Sequence, residues 1–262
     1  MGVCIACQPA PTGDSAEDAL PPAQEHAAFA RHFEEHGVTG TFALYDPAES
    51  QLLVHNAVRA EERYIPASTY KIPNSLIALE TGVLADTMAV IAWDGQERSF
   101  DAWNRDHTLA TAFEFSVVWF HQEAARRIGQ ERMQHAVRDA GYGNADIGGG
   151  IDVFWLTGNL RISALEQIDF LQRLHEERLP FAEETLHLVK GIMVEERGAN
   201  YVLRAKTGWA TDPHNVGWYV GYVVKHEQPY YFALNIDMTE MAQASARRDI
   251  AKAILRGLDL LD

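Results

Sequence analysis

The stretch ASTYKIPNSLIALETG, residues 67–82, sets a serine and a lysine three positions apart at the head of an apolar run of helical period. Side chains at i and i+3 share one face of a helix, so Ser68 and Lys71 are placed to touch. The spacing predicts a helix over 68–81 that begins at Ser68. Pro73 lies too deep in such a helix for its missing N–H to be free of cost, so the first turn should be distorted. A serine hydroxyl is a poor nucleophile without a base, and a lysine protonated at neutral pH cannot be that base. For the pair to react, something must change the lysine.

Working outward, residues 116–128, opening on Ser116, and residues 131–140 and 163–177 carry helical periodicity, and Ser163 with Glu166 forms a capping-box pattern. GYGNADIGGG, 141–150, reads as a loop between them and lacks the Gly-Lys-Ser/Thr of a phosphate loop. Towards the N-terminus, EHAAFARHFEEHG, 25–37, reads as a helix, and TGTFALYD, 39–46, pairs with QLLVHN, 51–56, across PAES. Near the other end, NYVLRAKTG, 200–208, NVGWYVGYVVK, 215–225, and YYFALNID, 230–237, are β-rich runs, and SARRDIAKAILRGL, 245–258, closes the chain as an amphipathic helix. The arrangement that buries these faces is α+β. The hairpin and the three late strands form one antiparallel sheet, flanked by the terminal helices and set beside a mainly helical lobe. This predicts one catalytic domain over 25–262, with a sheet lobe of about 25–62 and 195–262 and a helical lobe of about 63–194. A cleft between two such lobes is a favoured ligand site, and Ser68 stands beside it.

The 262 residues are 47% hydrophobic, as suits a globular chain with a sizeable core. With 22 Lys+Arg against 37 Asp+Glu the formal charge is −15, which repels nucleic acid and anionic lipid. No apolar run approaches the ~20 residues that span a bilayer, so no transmembrane segment is expected. Cys4 and Cys7 both lie in residues 1–24, a Pro-, Ser- and acid-rich stretch read as a tail or the remnant of an export signal. No second Cys-x-x-Cys completes a zinc site. HFEEH, His32 to His36, formally matches a zinc pattern, yet a charged surface helix produces it by chance and no downstream ligand stands out, so no metal is expected.

Two further short motifs stand beside Ser68-Thr69-Tyr70-Lys71. Lys206-Thr207-Gly208 ends a strand, offers a cation and a hydroxyl to an anionic group, and has a glycine that permits close approach. Ser116-Val117-Val118 stands at a helix start. Each alone reads as a cap or a solvated strand face. Together, in this order, they are the three elements of penicillin-recognising serine enzymes. With Tyr142-Gly143-Asn144, FWL around Trp155, and the flanking IPNSLIALETGVL, DIGGGIDVFWLTGNLRIS and GWYVGYV, the chain resembles an oxacillinase-type, class D serine β-lactamase over roughly residues 39–256.

The resemblance implies that Ser68 attacks the lactam carbonyl and that Lys71, N-carboxylated by carbon dioxide or bicarbonate, is the base for acylation and deacylation. Carboxylation needs a neutral amine, which an apolar pocket favours; Tyr70, Val117, Val118 and Leu156 are the expected walls. Trp155 would donate its indole N–H to the carbamate. The backbone N–H groups of Ser68 and Trp209 would hold the oxyanion. Ser116 would relay a proton to the lactam nitrogen. Lys206, Thr207 and Arg247 would bind the substrate carboxylate, with Gly208 beside them in the substrate-binding strand, Arg247 being favoured over its neighbour Arg248 because RRDI matches the family's pattern. Tyr142 and Asn144 are assigned to loop structure. The choice among penicillins, cephalosporins and carbapenems would rest on loops around Trp103, the 209–216 turn and Val118. The same resemblance implies a periplasmic or otherwise exported bacterial enzyme, a monomer or homodimer, trimmed or lipid-anchored at an N-terminal cysteine. Two relatives share the motif logic: a membrane receptor's β-lactam-sensing domain, which acylates without turnover, and a cell-wall DD-peptidase. Val118, where sensors tend to carry asparagine, and the absence of a spanning segment favour the hydrolase over the first; FWL and YGN favour it over the second.

Overall fold

Alternation along a single strand organises the molecule: in Gly40–Asp46, Phe42 and Leu44 pack on one side of the sheet and Ala43 on the other. The computed structural model describes residues 19–262; the expectations for Cys4 and Cys7 lie outside them. The elements in order are β1 (Ala23–Glu25), α1 (Ala27–His36), β2 (Gly40–Asp46), β3 (Gln51–His55), α2 (Ala57–Glu61), a 3-10 turn (Ala67–Tyr70) and α3 (Lys71–Glu80). There follow β4 (Val90–Ile91), β5 (His107–Thr108), α4 (Leu109–Glu114), α5 (Val118–Ile128), α6 (Gln130–Asp139), α7 (Ala164–His175) and α8 (Glu183–Ile192). The chain ends with β6 (Val194–Arg197), β7 (Tyr201–Ala210), β8 (Val216–Lys225), β9 (Gln228–Asp237) and α9 (Ala246–Gly257).

Among the described residues, seven strands form the main sheet in the order β1-β3-β2-β9-β8-β7-β6. The five expected strands are all present, but the sheet is mixed, because β1 runs parallel to β3 while the other pairs are antiparallel. Strand pairing therefore begins at Ala23, inside the stretch read as tail, and α1 starts at Ala27 rather than at Glu25. In α1, Arg31 Nε donates to His32 Nε2 at 3.3 Å and His36 Nδ1 lies 2.9 Å from the His32 carbonyl, so the HFEEH histidines bond within their own helix.

One face of the sheet is covered by α1 and α9, whose Phe29, Phe33, Ile250 and Ile254 cluster with Leu203, Phe232 and Leu234. The opposite face, with Ala43, Val54, Val220 and Ala233, is continuous with the cores of α3, α5 and α7. Helix α7 opens on the predicted Ser163–Glu166 capping box, and it packs on β2, β8 and β9. It thus serves the sheet as much as the helical region to which the sequence assigned it.

Two predicted helix starts move, and both shifts shape the site. The first turn expected over 68–81 is a 3-10 turn, and α3 begins at Lys71. Pro73 then falls in the first turn of α3, where an N–H has no intrahelical partner to lose. The second helix begins at Val118, with Val117 at its cap position. Ser116 is not a cap: it has φ 55, a conformation L-residues seldom adopt.

Candidate active site

Ser68 stands on the 3-10 turn, just after Ala67, whose φ is 49. One turn on, Lys71 is completely buried, and its Nζ donates to Ser68 Oγ at 2.7 Å. Burial first, and then the charge of Lys206, hold the Lys71 amine well below its usual pKa. The shift runs toward the neutral form that the opening motif demands. Tyr70 stacks on Trp155 with centroids 5.2 Å apart, and its hydroxyl points away to Met133 Sδ at 3.0 Å. Val117 is also completely buried, while Val118 and Leu156 are half-buried. The indole N–H of buried Trp155 has no hydrogen-bond partner among the described residues. An indole nitrogen can only donate, so this orphaned group suits an incoming anion.

Strand β7 brings the third motif opposite the first two. Lys206 Nζ donates to Ser116 Oγ at 3.1 Å, and the left-handed backbone at Ser116 presents that hydroxyl. Burial, followed by the charges of Arg248 and Arg247, pushes Lys206 down to about 7. Ser68, Ser116, Thr207, Gly208 and Arg247 line one cavity of about 210 Å³. Trp103, Val118 and Trp209 wall it, as do Phe100, Phe115 and Met241. Trp103 is pinned there, donating from Nε1 to the Phe115 carbonyl and accepting at its own carbonyl from Trp119 Nε1, each at 2.9 Å.

The two adjacent arginines part company. Arg247 is buried in the cavity wall, donating from Nη1 to the Gly208 carbonyl at 2.5 Å and from Nε to the Ala244 carbonyl at 2.9 Å. Its side chain crosses β8 at Gly217, where a Cβ would come within 2.9 Å of Arg247 Cδ. Arg248 is exposed, lies over the Tyr219 ring and pairs with Glu195 at 3.3 Å.

Comparison with known proteins agrees with this geometry. Residues 40–256 match the penicillin binding protein transpeptidase domain family. β-Lactamase OXA-48 of Klebsiella pneumoniae is 43% identical over 235 residues, covering 89% of this chain and 88% of its own length. The chain belongs to the class D β-lactamase family. β-Lactamase OXA-10 of Pseudomonas aeruginosa is 38% identical, with 88% of each chain covered. A class D β-lactamase structure from Nostoc superposes with TM-score 0.87 at 46% identity, over 89% of this chain and 99% of the other. FUS-1 (OXA-85) of Fusobacterium nucleatum subsp. polymorphum gives TM-score 0.89 at 36% identity, over 91% and 100%.

In this class D β-lactamase the Tyr142-Gly143-Asn144 motif is structural, as expected from its turn chemistry. Asn144 Nδ2 donates to the Asn159 carbonyl at 3.0 Å, and its Oδ1 accepts from the Arg161 N–H at 2.9 Å. Gly143, at φ 56, leaves no room for a Cβ, which would lie 2.1 Å from the Arg161 carbonyl oxygen. Tyr142 is buried and accepts from Gln167 Nε2 at 3.2 Å, and the same amide reaches Thr69 Oγ1 at 2.9 Å. Through Gln167 the loop steadies the nucleophile turn. Sequence reasoning missed Phe100, Phe115 and Met241, since lone apolar residues in short or irregular segments carry no period to read.

Gly208 is required by close approach. A Cβ there would lie 2.9 Å from the Pro66 carbonyl oxygen and 3.2 Å from the Thr69 nitrogen, against the turn that carries Ser68. Gly208→Ala is expected to lower stability by about 1–3 kcal/mol, the usual cost of overpacking, measured as a fall in the denaturant midpoint at constant slope. A variant as stable as the parent would show that the turn and β7 can separate freely.

Proposed function

We propose that this enzyme hydrolyses β-lactam antibiotics through a Ser68 acyl-enzyme, with N-carboxylated Lys71 as the base. One observation carries the reading: a fully buried lysine amine, its pKa held well below the usual lysine value, 2.7 Å from the Ser68 hydroxyl. The unpartnered Trp155 N–H in the same buried cluster supports it. When present, the carboxylate on Lys71 supplies an anionic base beside Ser68 for both half-reactions.

The chain's own groups do the rest. Ser68 Oγ bonds to the lactam carbonyl carbon while backbone N–H groups of Ser68 and Trp209 receive the negative oxygen. The lactam C–N bond then breaks, leaving an ester on Ser68. Ser116, bonded to Lys206, hands a proton to the departing nitrogen. Thr207, Lys206 and the Arg247 guanidinium hold the substrate carboxylate, and the burial of Arg247 makes that contact strong. Arg247→Ala is therefore expected to raise KM about ten- to a hundredfold with a smaller change in kcat, whereas Arg248→Ala stays within about threefold. Equal effects of the two substitutions in steady-state kinetics would remove Arg247 from this role.

The proposal includes action in the periplasm or otherwise after export; no helix among the described residues is long and apolar enough to cross a membrane. The deciding test is hydrolysis of a chromogenic cephalosporin by the purified protein, with and without bicarbonate, alongside intact-mass analysis. Multiple turnovers that rise with bicarbonate are expected. One stoichiometric acylation without turnover would instead make the chain a β-lactam sensor.

A further inference from the structure

His121, on α5, has no part in the chemistry above, yet it is completely buried. Its Nδ1 lies 3.1 Å from Asn74 Oδ1, while Asn74 Nδ2 lies 3.4 Å from the His121 carbonyl. With the Asn74 amide N–H turned to that carbonyl, its oxygen faces the ring, so Nδ1 carries the proton and Nε2 the bare lone pair. Nε2 is buried and has no partner. Asn74 stands one turn beyond Lys71 on α3, and His121 one turn beyond Val117 at the head of α5. The ring thus occupies the seam between two packed helices whose first turns frame the reactive lysine. Burial is the first cause that disfavours its imidazolium form, followed by Lys71 and Lys206 in their ammonium forms, and these two lysines are the titratable groups that act on it.

Carboxylating a neutral amine forms an N–C bond, moves one C=O electron pair onto oxygen and releases the N–H proton. A lone anion in a dry pocket is costly unless a counter-charge appears with it. We propose that His121 Nε2 accepts the proton released when carbon dioxide carboxylates Lys71, so that the pocket gains an imidazolium and a carbamate together. The inference rests on the carboxylated lysine proposed above. Its signature is proton balance, since carboxylation then releases no proton to solvent, whereas without His121 it releases one.

The test follows the carbamate carbon by 13C NMR on the full chain with labelled carbon dioxide, over roughly pH 6–8, reading the dissolved carbon dioxide that gives half-occupancy. In the parent protein this concentration is expected to stay nearly constant. In His121→Phe and His121→Gln it is expected to rise about tenfold for each pH unit lowered, by proton linkage. The ring resonances of His121 are expected to turn from neutral to imidazolium as the carbamate fills. A tenfold dependence already present in the parent, or a ring that stays neutral at full carbamate, would overturn the proposal. A flat profile in both parent and variants would also overturn it and move the proton to Lys206. The parent profile and ring state decide the matter even where a variant fails to fold. A parent protein with no carbamate signal would overturn this proposal and the carboxylated-lysine mechanism with it.

Discussion

Ser68→Ala is expected to abolish covalent capture of a β-lactam and to lower turnover by about a millionfold, the scale on which a serine hydrolase loses its nucleophile. The structure says why the loss should be chemical rather than structural. The substitution removes one hydroxyl and one hydrogen bond, that from Lys71 Nζ. Burial holds the Lys71 pKa well below its usual value, which favours an amine left without a partner over an unpaired buried charge. The stability change should stay near 1 kcal/mol, and the thermal midpoint should move by only a few degrees. Intact-mass analysis after incubation with a penicillin should show no adduct. A residual adduct has one clear rival source, because Ser116 also lines the cavity and its hydroxyl is bonded to a lysine pushed down to about 7. Peptide mapping of such an adduct to residue 116 would reverse the roles of the two serines.

What the sequence made legible, and what it hid, follows from the range of each interaction. The strand around Leu203 declared itself by an alternation of two, those around Phe42 and Leu234 as β-rich runs between turn residues, and α7 by a capping box written in four adjacent residues. Strand β1 did not, because three exposed residues paired on one side carry no alternation. The left-handed backbone at Ser116 was equally silent, for it serves a lysine 90 positions away and nothing local demands it. Choosing between Arg247 and Arg248 required the phase of α9 against the sheet: neighbouring helical residues point about 100° apart, and Gly217 on β8 decides which one crosses into the cavity. His121 reads in sequence as one more polar residue on an amphipathic helix. Its burial and its bond to Asn74 exist only once α3 and α5 meet.

Lys71→Ala should leave a protein that can still be acylated slowly but cannot release the product, with deacylation reduced by about ten-thousandfold or more, the upper end of a positioned base. The acyl-enzyme should persist on Ser68 in intact-mass spectra, and bicarbonate should leave turnover unchanged. Turnover that still rose with bicarbonate in this variant would sink the assignment of Lys71. Stability gives the same residue a second signature, of opposite sign. The folded-state pKa of Lys71 lies well below the usual lysine value, so between the two pKa values the unfolded chain binds one more proton. Stability in that window rises with pH, and at neutral pH the buried amine works against the fold. Alanine removes this penalty but opens a cavity, whereas methionine removes it and fills most of the space. Lys71→Met is therefore expected to be at least as stable as the parent at neutral pH, with a weaker rise of stability at higher pH, while being as inactive as Lys71→Ala. Denaturant titrations at several pH values test this. A methionine variant clearly less stable than the parent would mean that the amine contributes to the fold, and that its neutrality is not held against a cost. The expected result instead makes Lys71 a residue kept for its reactivity, in a pocket whose aromatic and aliphatic walls supply the stability it withholds.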